Sequence, residues 1–515
     1  MPGEILNPDP GLSGKRWDFY SALAIVAYAF LQLVRLPLLP QSMDIYYHLL
    51  NARGFIQAGG YTGWDFWQYA PVGRPNIYPP FFHILLAFLM KAGLNPVFLA
   101  KFFEAVTPVI FLISLRFFVK RNFGGALAFF CLVAFSSSFS FFLSLSGHLP
   151  ATLALTFGLL AFDQFFRRNF LRALLLLTLC FYTHIGVSWF LALGFVFWGV
   201  LDRDRRRACL WLFALALFLS LPMLLKEFSV MGRISALGIN LNERMLSQIK
   251  VADYFFAACG VFFALRLEKK FRFFLALLFA GVIFLFYPYR FFSTEGYLPV
   301  AFLSAVFLYG LYLKGRNRRP LLKRVLAAIC LFILFISPTL TLGVARHNLV
   351  ERRREIKLFD SALMGMLLAR GQVIWFPREY LPAARLIREN SAPQEIIYSP
   401  MEIAGVILAG LSGRPTANAL LPEIAPAGAL EPLESSKIVI FPQDDPGKLV
   451  EGAAGKHGLR QIGQNKLFLF YRNPAATVKV EPKKATLSFG LIMVIAAVFC
   501  VLLIFAGRFA LISLT

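Results

Sequence analysis

Charge is scarce in this chain, and acid is scarcer than base. Only 16% of its 515 residues are charged, and 28 Asp and Glu stand against 52 Lys and Arg, for a formal net charge of +24. In a soluble protein that balance would point to nucleic acid. No basic module with interleaved aromatics is present, so no nucleic-acid partner is expected. The six cysteines (Cys131, Cys180, Cys209, Cys259, Cys330 and Cys500) all fall in apolar segments. Without a CxxC or a Cys/His metal spacing, neither a disulfide framework nor a zinc site follows. GxGxxG and P-loop patterns are also missing, which removes the usual nucleotide sites. No cleavable leader is evident: Lys15-Arg16 precede an apolar run that is long for a signal peptide and lacks a small-x-small site.

What the chain has is hydrophobicity. Apolar residues make up 58% of it, with 57 Phe. Runs of about 17–25 apolar residues match a hydrocarbon core of about 30 Å. The expected fold is therefore a mainly α polytopic membrane bundle of about 12–13 transmembrane helices with a small extracytoplasmic α/β domain. The expected spans are 19–39, 97–118, 124–143, 149–166, 171–183, 185–201, 208–225, 251–266, 273–288, 297–313, 325–343 and 486–507. Residues 81–92 form a shorter apolar helix, read as one that does not cross.

Basic residues collect at alternate connections: Arg116 to Arg121, Arg167 to Arg172, Arg203 to Arg207, Arg266 to Arg272 and Lys314 to Arg324. The positive-inside rule makes these cytoplasmic, along with the N-terminus. The first outer loop is then 40–80. Three units are expected: a bundle over 1–343, an extracytoplasmic domain over 344–485, and a final span with its tail over 486–515. In the middle unit E-I-I-Y-S, K-I-V-I-F and K-L-F-L-F-Y read as strands, with helices over 378–390 and 400–411. Arg352-Arg353-Arg354 reads as a solvated helix face near headgroups.

The polar residues of the bundle gather at its outer face. Asp44, His48 and Asn51 at i, i+4 and i+7 share one helix face. His83, His148 and His184 fall at outer ends of spans or in the outer loop. Asp65, Glu243, Arg244, Arg290 and Glu295 lie on the same side, and Glu104 lies deeper. Ionisable groups at such positions are costly unless paired, which makes them candidates for function. A single His at a helix end is more often structural; four of the six histidines on one face are harder to read that way.

An enzyme on that face has no ATP and needs a donor already activated in the membrane, such as a polyprenyl-phosphate sugar. Transfer needs a carboxylate to take the acceptor proton and cations or a metal at the leaving phosphate. Asp44 suits the first role or that of metal ligand; it equally suits a helix N-cap. His148, His184 and Arg290 are the candidate phosphate contacts, and His148 a second metal ligand for Mg²⁺ or Mn²⁺. Glu295 and Glu243 would orient sugar hydroxyls. His48, Asn51, Tyr78 and His83 complete the candidate substrate contacts. The other partners expected are membrane lipids and an acceptor of unknown identity.

The stretch D-I-Y-Y-H-L-L-N-A-R-G-F-I-Q-A-G-G-Y, followed by W-D and P-V-G-R-P-N-I-Y-P-P-F-F-H, resembles the first outer loop of the GT-C glycosyltransferases. These are multispanning enzymes that use lipid-linked sugars, and the oligosaccharyltransferase catalytic subunits are nearest in layout. The resemblance implies that Asp44 is the catalytic acid/base or metal-binding residue. S-G-H-L-P-A-T at 146–152 resembles the second outer loop, with His148 where an acid is usual. Y-R-F-F-S-T-E-G-Y-L-P at 289–299 resembles a late outer loop with its Arg-Phe pair. S-P-M-E-I-A-G stands where the oligosaccharyltransferases carry a tryptophan-rich acceptor motif, and Tyr46 stands where a second acid would complete DxD. A sequon acceptor and a dedicated metal are both put in question. Two other classes compete: a transporter or flippase of lipid-linked substrates, and a non-catalytic subunit of an envelope complex that docks through 344–485.

Overall fold

The structure, a computed structural model, describes residues 12–40, 42–76, 78–235, 247–286, 288–315, 320–337, 339–342, 355–357, 378–419, 426, 431–443 and 455–505. Glu243, Arg244 and the Arg352-Arg353-Arg354 run lie outside these residues. The chain folds as a helical membrane bundle carrying a small α/β unit.

The bundle begins with α1 (Leu12–Arg35), which has no acid in its first turn and ends on Arg35. After a short loop come α2 (Asp44–Ala58), the two-residue strands β1 (Gly60–Tyr61), β2 (Trp64–Asp65) and β3 (Arg74–Pro75), and α3 (Phe81–Lys91). Eleven residues rise only about 16 Å, half a bilayer core, so α3 does not cross. The helices α4 (Pro96–Phe123), α5 (Gly125–Ser137), α6 (Phe139–Gly147), α7 (Leu149–Phe166), α8 (Phe170–Phe181), α9 (Ile185–Leu201), α10 (Arg206–Leu219) and α11 (Leu221–Ser235) follow. Next are β4 (Ser247–Lys250), α12 (Val251–Arg266), α13 (Arg272–Ala280), α14 (Pro288–Ser293), α15 (Tyr297–Gly315) and α16 (Pro320–Ile336).

Among the described residues, four helical stretches are individually long and apolar enough to cross a membrane: Gly14–Arg35, Pro96–Phe123, Leu149–Phe166 and Arg290–Leu313. A fifth forms if α10 and α11, bent by 66°, count as one. The other expected spans map onto shorter or broken helices, and the breaks have local causes. The run expected over 124–143 divides at Ser138, whose hydroxyl accepts from the Phe141 N–H and starts α6. The run expected over 208–225 bends after Ser220, where Pro222 sits in the first turn of α11. The run expected to reach 343 stops at Ile336, ahead of Ser337-Pro338. Thr339–Leu342 then forms β5, between β4 and β6 (Glu355–Lys357), in an antiparallel sheet.

Small residues let the spans close up. A side chain at Gly260 would stand 1.9 Å from the Leu303 carbonyl, so only glycine permits α12 to lie this close to α15.

The tail unit contains α17 (Tyr380–Glu389), β7 (Ile397–Tyr398), α18 (Glu402–Ser412), β8 (Ile438–Pro442), β9 (Arg460–Gln464) and β10 (Phe468–Arg472). The strands form a sheet in the order β7-β8-β10-β9, with β7 parallel to β8 and the other pairs antiparallel. β8 is buried from Ile438 to Phe441, as its continuous I-V-I-F run requires; β9, R-Q-I-G-Q, is a polar edge with no apolar alternation to announce it. β11 (Leu487–Ser488) pairs with β1 and leads into α19 (Phe489–Phe505).

This unit is bound to the first outer loop along several lines. The Thr416 N–H donates to the Trp67 carbonyl at 2.9 Å, and the Ala70 N–H to the Thr416 carbonyl at 3.0 Å. A side chain at Gly410 would meet the Tyr46 carbonyl at 2.6 Å, so α18 lies directly on α2. The helix carrying Asp44 is thereby held between the membrane bundle and the tail unit.

Candidate active site

Asp44 opens α2 but does not cap it. Met43 holds the N-cap position, and the Asp44 N–H donates to Ser42 Oγ at 3.2 Å. The carboxylate is left for a different partner: its Oδ2 lies 3.1 Å from Nδ1 of His148, at the junction of α6 and α7. The two side chains are 17% and 22% exposed, which keeps them within reach of a substrate. Burial alone would raise the Asp44 pKa. The hydrogen bond and charge of His148, with His48 and Arg290 further off, more than reverse that, so the carboxyl sits below its ordinary range and is ionised at neutral pH.

The rest of the helix face continues inward. His48 Nδ1 and His83 Nε2 are 2.8 Å apart, sharing one hydrogen bond between two buried imidazoles. Each keeps a second buried ring nitrogen, Nε2 of His48 and Nδ1 of His83, with no hydrogen-bond partner among the described residues. Asn51 donates to the Tyr47 carbonyl at 3.2 Å and accepts from Asn76 at 3.4 Å. The Tyr78 ring packs against His48, His83 and His184 at centroid distances of 5.2, 6.0 and 6.5 Å. Its carbonyl accepts from Lys226 Nζ at 3.3 Å.

His184 caps α9, accepting the Val187 N–H on Nδ1 at 3.2 Å, which leaves Nε2 as its free ring position. Arg290 and Glu295, expected as separate contacts, are paired: Nη1 to Oε1 is 2.8 Å, and the second Glu295 oxygen accepts from the Thr294 hydroxyl. That leaves Glu295 as the orienter of Arg290. Glu243 falls outside the described residues, so the structure brings nothing to its role.

The W-D and G-R-P pieces turn out to be the framework of the loop. Asp65 Oδ1 accepts from the N–H groups of Trp67 and Gln68, and its Oδ2 accepts from Gln68 Nε2 at 2.8 Å. Arg74, fully buried, donates to Gln68 Oε1 at 3.1 Å and lies 3.8 Å from Asp65. Gly73 makes the turn with φ of +72°, where a side chain would meet the Asp65 carbonyl at 2.6 Å.

Burial pushes both paired imidazoles down, His48 well below its ordinary value and His83 to about 3, with His83 and Lys226 adding repulsion to the one and the other. Both are therefore neutral in the folded protein. The unfolded chain binds protons at these sites near pH 6.5, so their contribution to stability is complete above that pH and is lost as pH falls below it. Unfolding temperature should accordingly drop between pH 7 and pH 5. A His48→Phe/His83→Phe variant should lose most of that slope; an unchanged slope would show that the pair does not titrate on unfolding.

Among the described residues no three of His, Cys, Asp and Glu gather as a metal cage. One carboxylate and one imidazole nevertheless suit a divalent cation that takes its remaining ligands from substrate phosphate and water.

No family model and no curated protein matches the sequence. Solved structures do. The oligosaccharyltransferase of Archaeoglobus fulgidus, in a complex with Zn and sulfate, aligns over 81% of this chain and 68% of its own, at 14% identity and a TM-score of 0.52. The oligosaccharyltransferase AglB from Archaeoglobus fulgidus, in complex with an inhibitory peptide and a dolichol-phosphate, aligns over 82% of this chain and 69% of its own, at 13% identity and a TM-score of 0.50. ArnT from Cupriavidus metallidurans, bound to undecaprenyl phosphate, aligns over 91% of this chain and all of its own, at 12% identity and a TM-score of 0.54. The chain has the fold of the GT-C membrane glycosyltransferases.

Proposed function

With the GT-C fold as the premise, we propose that this protein transfers a sugar or oligosaccharide from a polyprenyl-phosphate carrier to an acceptor on the extracytoplasmic face. The observation that carries the reading is the ionised Asp44 carboxylate, at the start of α2, within 3.1 Å of His148 and in the field of Arg290. The fold's other members support the donor class: one structure holds a dolichol-phosphate and another undecaprenyl phosphate.

In this mechanism the acceptor nucleophile forms a bond to the anomeric carbon. The bond between that carbon and the phosphate oxygen breaks, and its electron pair leaves with the polyprenyl phosphate. The acceptor proton passes to Asp44. Arg290, oriented by Glu295, neutralises the charge that grows on the departing phosphate, together with His148 and the Nε2–H of His184. His48, Tyr78 and His83 form the buried wall behind Asp44, and Asn51 with Asn76 holds the loop to it. If a divalent cation binds, Asp44 and His148 would hold it, and it would add charge neutralisation at the phosphate.

The basic connections support a cytoplasmic N-terminus, with 40–80, 226–250 and the 344–485 domain on the opposite side. Sugar, carrier length and acceptor stay open in this proposal.

The test is direct. Purified full-length protein in nanodiscs is given polyprenyl-phosphate sugars, and free polyprenyl phosphate is followed with Mn²⁺ and with EDTA. Release that depends on protein supports the transferase, and EDTA sensitivity adds the metal. Movement of an intact lipid-linked sugar across the bilayer without release would instead make the protein a flippase.

A further inference from the structure

The end of α1 carries a buried ionic assembly that the transfer reaction itself does not use. Arg35 Nη2 pairs with Glu104 Oε1 of α4 at 2.9 Å, and both side chains are at least nine-tenths buried. Arg35 Nη1 donates to Gln32 Oε1 at 2.9 Å and to Ser146 Oγ of α6 at 3.3 Å, and Gln32 Nε2 approaches the same hydroxyl at 3.4 Å. Three separate elements therefore meet on one guanidinium. Arginine suits that task because its planar fork reaches several acceptors at once.

Ser146 is two residues before His148. The residue between them, Gly147, lies so near the 42–44 turn that an added Cβ would stand 3.4 Å from both Cβ and Oγ of Ser42. Ser42 Oγ in turn accepts the Asp44 N–H. The contacts run from Arg35 to Ser146, across Gly147 to Ser42, and on to Asp44, whose carboxylate returns to His148.

We propose that Arg35, seated by Glu104, is a positioning residue that clamps the 146–148 segment against the 42–44 turn and thereby sets the Asp44–His148 pair. The proposal rests on the reading of Asp44 given above. A buried ion pair is weak support for stability, since apolar side chains of similar volume often do as well, and its better-attested use is to fix one arrangement of packed elements. Here the arrangement fixed is that of two helix ends, the start of α2 and the α6–α7 junction, which carry the reacting groups. A displacement of about 1 Å at such a pair is enough to slow a reaction by roughly a hundredfold.

The test uses full-length protein in nanodiscs and two readouts. The first needs no turnover. A Ser42→Cys/Gly147→Cys pair has the Cβ spacing of a disulfide and should cross-link rapidly with mild oxidant, above the background of each single variant. Adding Ser146→Ala, or Arg35→Gln together with Glu104→Gln so that no buried charge is orphaned, should slow cross-linking about tenfold or more. Ser146→Thr, which keeps the hydroxyl, should restore it. Unchanged cross-linking in both weakened backgrounds overturns the clamp.

The second readout is release of polyprenyl phosphate. Ser146→Ala should lower kcat about tenfold at unchanged KM, and should have no further effect in a His148→Ala background. A full additional loss there also overturns the proposal. If wild-type protein releases nothing from any donor, the transferase reading fails, and the cross-linking arm still decides whether the clamp exists.

Discussion

Asp44→Asn is expected to lower polyprenyl phosphate release by about 10²–10⁴-fold, the usual worth of a positioned acid or base. Asparagine keeps the size and one acceptor oxygen of the side chain, so His148 retains a neighbour at 3.1 Å. It cannot take the acceptor proton, and it removes the negative charge that His148 and Arg290 hold in place. The fold should be little affected. Asp44 does not cap α2, and its side chain is partly exposed, so the unfolding temperature should stay within a few degrees of wild type. His148→Ala should be the milder lesion, because Arg290 stays paired with Glu295 beside the phosphate position. Wild-type rates in a folded Asp44→Asn protein would sink the catalytic role and return the fold to the flippase or docking classes.

Asp65→Ala should produce the largest loss of stability, about 3–5 kcal/mol, the cost of removing one partner from a buried ion pair. Arg74 is fully buried beneath the loop, and the substitution takes away the carboxylate that lies 3.8 Å from its guanidinium. The substitution also removes the carboxylate oxygen that accepts from the N–H groups of Trp67 and Gln68. Asp65→Asn should cost less, since its oxygen still accepts from those two groups. Thermal unfolding in detergent would order the three proteins as wild type, Asn, Ala. The opposite order, or no difference, would show that the loop is held by its aromatic packing and the tail unit alone. Activity should fall with Asp65→Ala even where the bundle survives, because the same loop carries the Thr416 contacts that seat the tail unit over α2.

The sequence made the outer site visible because its signals are chemical contrasts. Polar residues at one end of apolar runs are expensive, so each is noticed, and Asp44, His148, Arg290 and Glu295 do converge. Their partners were less visible. Nothing in the spacing of Arg290 and Glu295 says that they pair with each other, and nothing in Y-P-P-F-F-H says that His83 meets His48. Arg35 was hidden as the last residue of a span, where a basic side chain is commonplace. Lys226 carried no spacing that singled it out.

Hydropathy determined the membrane class and three strands of the tail unit, β7, β8 and β10, because burial against lipid or against a sheet face is written one residue at a time. The i, i+4, i+7 spacing likewise determined that Asp44, His48 and Asn51 share a face of α2. Only the tertiary structure decided which helix lies on α2, and which polar groups spend their charge on one another. Those outcomes depend on pairings between residues as far apart in the chain as Arg35 and Ser146, or Trp67 and Thr416. Periodicity along the chain carries no record of such partners, because they are chosen by packing.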